Sequence, residues 1–450
     1  MNAKQKTFSV ITLGCSKNTV DSELLIAKLL DKGLIYKDNI QESDYIIINT
    51  CGFIKPAINQ SIETIKNIIQ TLKDNDLKGK VIVSGCLVSR YKDSIIKRLE
   101  DVYAFYDTNS FLQIADDIEH ESIQKENKPN RLNLSSLAPD YSSKLSKFVS
   151  TGYYSYVKIG EGCNHTCSFC TIPLIRGKYK SRPIEDITNE VRKLVGIGIK
   201  EIILVSQDTS FYGYDIYGRL SLDRLLESIC EIEGDFWVRM LYLYPTTLSK
   251  NVLKIMAQNE KVVKYIDIPL QHVSSKVLKA MRRPGNKDYY KNMIQTIRQT
   301  IPNVIIRSTF IVGHPLEDEQ DFQELIEFLQ EVKIERAGFF KYYREKGTYS
   351  YSLPQIDYKT KSRRYKIVTS VQQKVLDEWS KQQVGKTFKV LLEDKQNGFY
   401  IGRAYFDAPE VDSVIKIPVQ KNTKMKLKLG NFYKVRITDY KEYDFYGCPC

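Results

Sequence analysis

The stretch KIGEGCNHTCSFCTIPLIRGKYKSRP, residues 158–183, contains three cysteines within eight residues: Cys163, Cys167 and Cys170. A [4Fe–4S] cubane has four irons and usually takes one cysteine thiolate for each of them. Three thiolates therefore leave one iron open, which the amino and carboxylate groups of S-adenosylmethionine can chelate. The spacing predicts a cluster that passes an electron into a bound sulfonium, with the protein excluding water and directing the resulting radical.

A zinc site is the alternative interpretation of this loop, because Cys163, His165, Cys167 and Cys170 offer four nitrogen and sulfur ligands. Structural zinc sites more often pair two separated knuckles, and the sequence contains no second knuckle nearby. The spacing therefore favours the iron–sulfur interpretation, and His165 is interpreted as a solvated loop residue.

The length and composition limit the class of protein. A chain of 450 residues is long enough for about three domains and for an ample core without disulfides. The N-terminus has no apolar targeting segment, and no run approaches the roughly 18 apolar residues of a membrane span, which predicts a cytoplasmic protein with no membrane partner. Nine cysteines, six of them in two sets of three, favour metal clusters over disulfides inside a cell.

The formal net charge of +13 is compatible with direct RNA contact or with a ribonucleoprotein partner. The lysine-rich composition typical of low-GC genomes explains the same charge without any function. Charge alone does not separate these two explanations.

Residues 7 to about 120 repeat one unit three times: a short apolar run ends in a cysteine, and an amphipathic helix follows. The three cysteines are Cys15, Cys51 and Cys86, which are 36 and 35 residues apart. Alternating strands and helices predict a flavodoxin-like parallel sheet, whose strands carry ligand sites at their carboxyl ends. We expect the three thiols to meet at one edge and hold an auxiliary [4Fe–4S] cluster, with three separately buried cysteines as the alternative.

Helix and linker signals divide this part of the chain. Asp21 and Ser22 are expected to open the first helix, Gly33 to end it, and Pro56 to lie in the first turn of the second helix. Residues 121–148 are polar and contain Pro, Asn and Ser, which predicts a linker.

The alternation of strands and helices resumes after the linker and predicts an incomplete (β/α)6 barrel. The cysteine loop follows the first strand, at the face where barrel chemistry usually takes place, and the open side would admit a bulky substrate. The six predicted strands are residues 154–159, 201–208, 236–243, 265–271, 303–313 and 336–343.

Polar and aromatic residues near the strand ends are candidates for binding S-adenosylmethionine. Functional interpretations place Phe169, Gln207 and Arg307 in its vicinity, and a structural polar network at the barrel mouth is the alternative. His272 and His314 are interpreted as loop or core histidines.

The last part of the chain, residues 383–450, alternates with a period of two and predicts a small five-stranded barrel of the oligonucleotide-binding type. The basic segment 421–430 suits phosphates or is a solvated hairpin. Cys448 and Cys450 are interpreted as free thiols of a frayed tail, and Cys230 as core packing.

The whole chain resembles the methylthiotransferases of the radical S-adenosylmethionine superfamily, which have a three-cysteine N-terminal domain, a radical core and a C-terminal TRAM domain. The resemblance is carried by the CxxxCxxC spacing with Phe169 between the last two cysteines and by three further motifs. These are LGCSKNTVDSE (13–23), LYLYP (241–245) and GRAYFDAPEVD (402–412). They are similar to the class acting on the small-subunit ribosomal protein S-twelve, rather than to the class acting on tRNA.

The resemblance implies domains at 6–120, 149–380 and 383–450 and two [4Fe–4S] clusters. Cys163, Cys167 and Cys170 would hold the cluster that cleaves S-adenosylmethionine to a 5′-deoxyadenosyl radical. Cys15, Cys51 and Cys86 would hold the cluster that delivers sulfur, and a second S-adenosylmethionine would methylate that sulfur. The radical would take hydrogen from the β-carbon of an aspartate, since this C–H is not acidic enough for a protein base.

The implied partners are ribosomal protein S-twelve, free or in the small subunit, a reductant and a sulfur donor. The acidic residues Asp407, Glu410 and Asp412 are expected to pair with that basic protein. Two other functions stay open at this point: an isopentenyladenosine tRNA methylthiotransferase, and a non-catalytic iron–sulfur or zinc protein that binds RNA.

Overall fold

The computed structural model describes residues 5–120, 131–136, 139, 141–142, 147–419 and 426–450, which form three units, each built on its own β-sheet structure. Parts of the predicted linker (121–130, 137–138, 140 and 143–146) and of the basic segment (421–425) lie outside these residues. No helix within the described ranges combines the length and the apolar character needed to cross a bilayer.

The N-terminal unit is a parallel sheet with the strand order β2-β1-β3-β4-β5-β6, which confirms the flavodoxin-like prediction. The central strand β3 is buried along its whole length, because helices cover both faces of the sheet. Residues of β6 fall in the predicted linker, yet they pair in parallel with β5 and extend the sheet. The strands are β1 Thr7–Thr12, β2 Ile35–Tyr36, β3 Tyr45–Thr50, β4 Lys80–Gly85, β5 Ala104–Tyr106 and β6 Arg131–Asn133.

The first helix begins earlier than the sequence predicts. It starts at Ser16, directly after the extended residue Cys15, so the prediction of a start at Asp21 is wrong. Asp21 lies inside the helix and is buried, because its carboxylate pairs with cations of the central unit instead of capping the helix. Pro56 lies in the first turn of the second helix, as predicted. The helices of this unit are α1 Ser16–Asp31, α2 Lys55–Asp74, α3 Cys86–Tyr91, α4 Asp93–Ile96 and α5 Gln113–Glu119, with a 3₁₀ turn at Ile40–Glu42.

The central unit contains six parallel strands in the order β7-β10-β11-β12-β13-β14, with a single bridge between Val238 and Val262 joining its two halves. The strands β7 and β14 are the two ends of this order, so the barrel is incomplete, as predicted. The strands are β7 Tyr154–Lys158, β10 Glu201–Val205, β11 Trp237–Met240, β12 Tyr265–Asp267, β13 Ile305–Val312 and β14 Arg336–Lys341; a side hairpin comprises β8 Gly160–Glu161 and β9 Lys180–Ser181.

Amphipathic helices cover the outside of these strands and bury their apolar faces in one continuous core. The helices are α6 Ile172–Arg176, α7 Ile184–Gly196, α8 Tyr214–Tyr217, α9 Leu222–Cys230, α10 Lys250–Gln258, α11 Ser275–Ala280, α12 Lys287–Thr300, α13 Glu319–Val332 and α14 Tyr358–Lys381, with 3₁₀ turns at Thr209–Phe211 and Tyr349–Tyr351.

The C-terminal unit is a closed five-stranded barrel with the order β15-β16-β17-β19-β18. All strand pairs are antiparallel except β17 with β19, which gives the oligonucleotide-binding topology that the sequence predicts. The prediction of a frayed tail is wrong. Cys448 lies in the last strand, where it pairs with Arg436 of the neighbouring strand, and the Cys450 backbone N–H donates to the Lys434 carbonyl. The strands are β15 Thr387–Gln396, β16 Phe399–Ala404, β17 Ile415–Pro418, β18 Phe432–Lys441 and β19 Asp444–Pro449.

The acidic loop 405–413 lies against the central barrel, at the starts of its strands. The Asp407 carboxylate is fully buried and accepts a 2.8 Å hydrogen bond from Arg336 at the start of β14. Asp412 accepts a 2.6 Å hydrogen bond from the Tyr265 hydroxyl. The expectation that these two carboxylates meet the ribosomal protein is therefore wrong, because the protein's own barrel occupies them.

A buried ion network strengthens the same junction. Glu201, at the start of β10, accepts 2.6 Å hydrogen bonds from Arg239 in β11 and from Arg403 in β16. Both arginines also donate to the Asp407 carbonyl. Two units thus share one set of buried charges, which fixes their relative position.

Candidate active site

The loop Cys163–Cys170 lies after the first barrel strand and lines a cleft of about 490 Å³. The Cys163 backbone N–H donates to the Gly177 carbonyl at 3.0 Å, and that of Cys170 donates to Cys167 at 3.1 Å. All three predicted cysteines line the cleft, together with Arg282 and Tyr349. The loop therefore presents its thiols to one shared space.

Burial makes these thiols hard to ionise without a positive partner. It raises the pKa of Cys163 to about 11 and that of Cys170 to about 12. The Arg283 guanidinium lies 3.7 Å from the Cys167 sulfur and offers one positive charge. The irons of a cluster would supply the remaining positive charge that the three thiolates need, so this donor set fits a cubane held by three thiolates.

His165 does not behave as a solvated loop residue, and that interpretation is wrong. Its Nε2 lies 2.6 Å from the Asp208 carboxylate, and its ring stacks on Tyr244 with a centroid distance of 3.7 Å. In the described part of the chain, no three His, Cys, Asp or Glu side chains converge on a point for one metal ion. A cubane does not need such convergence, because each thiolate binds a different iron.

Cys15, Cys51 and Cys86 follow the neighbouring strands β1, β3 and β4, at one edge of the N-terminal sheet. A Cβ on Gly14, beside Cys15, would lie 3.0 Å from the Cβ of Cys51. A Cβ on Gly52, beside Cys51, would lie 2.5 Å from the Cys86 carbonyl oxygen. Glycine at both positions lets the three cysteine loops approach each other, and the thiols with them.

Burial raises the pKa of Cys51 to about 11, and it raises the pKa of Cys86 as well. The Cys86 sulfur accepts a hydrogen bond of 3.2 Å from Arg176, which opposes this rise. Cys15 is exposed. The second set of thiols therefore fits a cluster whose exposed side lies at Cys15.

A buried charge network connects the two sets of cysteines. Arg176, in the helix directly after the loop Cys163–Cys170, donates to Asp21 at 2.9 Å and to Glu161 at 3.1 Å. Lys158, also fully buried, donates to the same two carboxylates. Nearby cations hold the pKa of Glu161 at about 2 despite its burial. The two acids and two cations hold the N-terminal sheet against the cysteine loop.

The three residues predicted near S-adenosylmethionine lie in different surroundings. The Gln207 amide donates to Glu161, two residues before Cys163. The Phe169 ring packs edge-on against His314 at 6.4 Å. Arg307 pairs with Asp267 at 3.2 Å across the neighbouring strand. Their role toward S-adenosylmethionine remains a prediction.

The histidines after β12 and β13 are buried, in agreement with the core interpretation. Burial lowers the pKa of His272 to about 3 and that of His314 to about 4, so both are neutral at physiological pH. Cys230 packs against the core of the central unit, also as expected.

Sequence reasoning missed three cations of the site: Lys17, Arg176 and Arg283. The ammonium of Lys17 lies 3.3 Å from the ring centroid of Tyr242, which has a positive φ of 64°. A lysine or arginine in a polar stretch is usually predicted to lie on the surface, so residue type alone does not distinguish these three from solvated charges. Their closeness to cysteines in sequence, two and six residues away for Lys17 and Arg176, was the available hint.

Models of known families match all three units. Residues 7–107 match the uncharacterized protein family UPF0004, residues 157–329 the radical SAM superfamily and residues 384–449 the TRAM domain. Each match falls on a unit with its own sheet.

Several curated relatives match along the whole chain under the name ribosomal protein uS12 methylthiotransferase RimO. The relative from Carboxydothermus hydrogenoformans is 41% identical over 98% of both chains. The relative from Clostridioides difficile is 38% identical over 97% of both, and that from Aquifex aeolicus is 41% identical over 97% of this chain and 96% of its own.

Among solved structures, the radical S-adenosylmethionine methyltransferase TsrM from Kitasatospora setae, with cobalamin and a [4Fe–4S] cluster bound, is similar with a TM-score of 0.55. The two proteins are 11% identical, and the match covers 77% of this chain and 74% of the other. At this identity the similarity concerns the fold alone.

Proposed function

The chain belongs to the family of ribosomal protein uS12 methylthiotransferases, and from this we propose that it methylthiolates the β-carbon of an aspartate in ribosomal protein S-twelve, uS12. When bound, two [4Fe–4S] clusters and S-adenosylmethionine supply the radical, the sulfur and the methyl group. Cys163, Cys167 and Cys170 would hold one cluster in the cleft of the central unit. Cys15, Cys51 and Cys86 would hold the other at the edge of the N-terminal sheet.

One observation carries this proposal: the hydrogen bond of 3.2 Å from Arg176 to the Cys86 sulfur. Arg176 follows the first set of cysteines by six residues, and Cys86 belongs to the second set. The bond joins the helix that follows the first set to the sheet edge that carries the second set. Methylthiolation needs this arrangement, because hydrogen is removed and sulfur is delivered at the same carbon.

The residues between the two sets have defined tasks in this proposal. Arg176 and Lys158 neutralise Asp21 and Glu161, so the wall between the clusters carries no uncompensated buried charge. Gln207 donates to Glu161 and orients it beside the cysteine loop. Phe169, Gln207 and Arg307 are proposed to contact S-adenosylmethionine.

We also propose boundaries, location and partners for the enzyme. The domains would be 6–120, 149–380 and 383–450, with 121–148 as the connection. A cytoplasmic location follows from a ribosomal substrate. The protein would require a reductant and a sulfur donor, and uS12 would be modified alone or within the small subunit.

The test is mass spectrometry of uS12 from cells that carry the gene and from cells that lack it. We expect a gain of about 46 Da with the gene, from a methylthio group that replaces one hydrogen, and no gain without it. Complementation with a Cys170→Ala variant should leave uS12 unmodified. Cys230→Ala is the matched control, since Cys230 packs in the core of the same unit, and it should restore the gain.

Two outcomes would contradict the proposal. The first is that the mass gain on uS12 persists in cells without the gene. The second is that uS12 never carries the gain, while isopentenyladenosine tRNA loses its methylthio group in the deletion strain. The second outcome would move the substrate from protein to RNA and keep the chemistry.

A further inference from the structure

A surface next to the cluster cleft combines exposed aromatic rings with basic side chains. It comprises residues 340–366, from the end of β14 to the third turn of α14, together with Arg282; we name it the aromatic–basic surface. This segment contains eight Lys and Arg but two Asp and Glu, Glu345 and Asp357. Glu345 is buried against Arg90, Lys361 and Arg364 are buried as well, and Arg363 pairs with Glu319. The accessible positive charge of the surface therefore comes from five side chains: Lys341, Arg344, Lys346, Lys359 and Lys366.

Its aromatic rings are unusually accessible. Tyr358 is 70% exposed, Tyr349 54%, Phe340 50%, and Tyr351 and Tyr365 36% each. Side chains of this size are normally buried on one side in a protein that does not use them. The rings therefore form a contact surface that the chain's own core does not cover.

Cations lie directly against these rings. The Lys341 ammonium is 4.5 Å from the Tyr358 ring centroid and 5.8 Å from that of Tyr365. The Arg344 guanidinium is 4.2 Å from the Tyr351 ring, and Arg282 is 4.3 Å from Tyr349. These contacts hold the rings in fixed orientations and join strand, loop and helix into one surface.

Helix geometry extends the pattern along α14. Tyr358 and Tyr365 are seven residues apart and lie on the same helical face, and the exposed Lys359 and Lys366 follow them around the helix by one position each. A stripe of rings thus runs beside a stripe of charges. Single-stranded RNA presents the complementary pattern, unstacked bases beside phosphates.

The surface continues into the catalytic cleft. Tyr349 and Arg282 line the same cleft as the three cysteines. The Ser350 backbone N–H donates to the Ser168 carbonyl at 2.8 Å, and their hydroxyls lie 2.7 Å apart. A ligand on the surface would therefore lie directly beside the reacting centre.

We propose that the aromatic–basic surface binds single-stranded RNA. The bases stack on the exposed tyrosines, and the phosphates pair with the lysines and arginines. The inference concerns binding alone and does not depend on the methylthiotransferase reaction.

The experiment measures fluorescence anisotropy of a labelled oligouridine of about 20 nucleotides with the full-length, cluster-loaded protein. Tyr351→Ala combined with Tyr358→Ala should weaken binding at least tenfold through lost stacking. Lys359→Ala combined with Lys366→Ala should also weaken binding and flatten the slope of log Kd against log salt by about 1.4, at roughly 0.7 for each lost phosphate contact.

The matched control is Lys441→Ala combined with Tyr443→Ala, on the hairpin of the C-terminal barrel. These side chains are 68% and 53% exposed, comparable with those of the proposed surface. The control should change the affinity less than twofold. All variants should keep the parent's iron content and thermal midpoint, which shows that each is folded.

Three results would overturn the inference. The parent protein does not bind the oligouridine, or the control loses the affinity while the surface variants keep it, which would place the RNA on the C-terminal barrel. The third is that heparin competes equally well and the tyrosine variant binds like the parent, which would reduce the surface to a general polyanion site.

Discussion

Arg176 follows the first predicted cysteine set by six residues and contacts a sulfur of the second set and the carboxylates between them. Its two terminal nitrogens reach Asp21, Glu161, Asn18 and the Cys86 sulfur, at distances between 2.8 and 3.2 Å. Only a planar guanidinium offers that many donors in fixed directions. The residue therefore determines both the charge balance and the geometry of this wall.

Replacing Arg176 with Ala should destabilise the protein by about 3–5 kcal/mol, because two buried carboxylates lose a cation. Arg176→Lys should recover part of the stability but not the iron, since one ammonium does not satisfy Cys86 and both acids together. Urea unfolding measures the stability, and iron per chain after anaerobic reconstitution measures cluster retention.

Arg182→Ala is the control for a buried arginine in the same unit. Arg182 pairs with Asp186 and Glu190 at 2.7 Å each. This variant should lose comparable stability but retain the parent's iron content. Equal iron loss in both variants would mean that Arg176 acts through stability alone.

His272 adds a dependence of stability on pH. Burial lowers the pKa of His272 from 6.5 to about 3. Below pH 6.5 the imidazole therefore stays neutral in the folded chain but takes up a proton in the unfolded chain. The contribution of His272 to the free energy of unfolding is therefore fully present above pH 6.5 and decreases as the pH is lowered below that value. Between pH 7.5 and 5.5 this one residue should lower the free energy of unfolding by about 1 kcal/mol.

His272→Asn tests that account, because asparagine can still accept the 3.0 Å hydrogen bond from the Ser274 backbone N–H but does not titrate. The thermal midpoint of the variant should fall less than that of the parent between pH 7.5 and 5.5. An identical fall in both proteins would exclude His272 as the source.

Among the elements, those with a regular apolar period were predictable and the contacts between units were not. Buried strands such as β3 and β10 are short apolar runs in the sequence, and their alternation with helices predicts that they pair in parallel. The start of α1 was missed because Asp21 looks like a cap in the sequence, whereas the structure uses it as a buried counterion for Arg176 and Lys158.

The acidic loop of the C-terminal barrel shows the same limit. Three carboxylates in a turn-rich stretch are typical of an exposed surface. The local sequence does not reveal that Arg336, in the central unit, is the partner of Asp407. Only Glu410 keeps an exposed contact, a 2.7 Å hydrogen bond from the Tyr154 hydroxyl. Cysteine spacing was more informative, because three like residues at equivalent strand ends are rare without a shared task.

This loop supports a prediction about domain docking. Asp407→Ala should destabilise the protein by up to about 3 kcal/mol, because the buried Arg336 would keep only the more distant Asp412 carboxylate, at 3.9 Å. Glu410→Gln should cost less than about 1 kcal/mol, since its contact is exposed. Urea unfolding of the two variants makes the comparison. Equally small decreases in the free energy of unfolding for the two variants would show that the loop does not hold the C-terminal barrel against the central barrel.

At the scale of the whole molecule, the two predicted clusters belong to different sheets. Cys15, Cys51 and Cys86 end strands of the N-terminal sheet, whereas Cys163, Cys167 and Cys170 follow the first strand of the central barrel. The two sheets have separate strand-to-strand hydrogen bonds and separate apolar clusters, and a third apolar cluster joins all three units. Loss of one cluster should therefore leave the fold that holds the other intact.

Anaerobic reconstitution of the full chain should give about eight irons and eight sulfides per chain, as two cubanes require. Replacing either set of three cysteines with alanine should halve both numbers to about four. The variant without Cys163, Cys167 and Cys170 should also fail to cleave S-adenosylmethionine, whereas the variant without Cys15, Cys51 and Cys86 should still cleave it and produce no methylthio group. If either triple variant kept all eight irons or lost all of them, the assignment of one cluster to each sheet would be wrong.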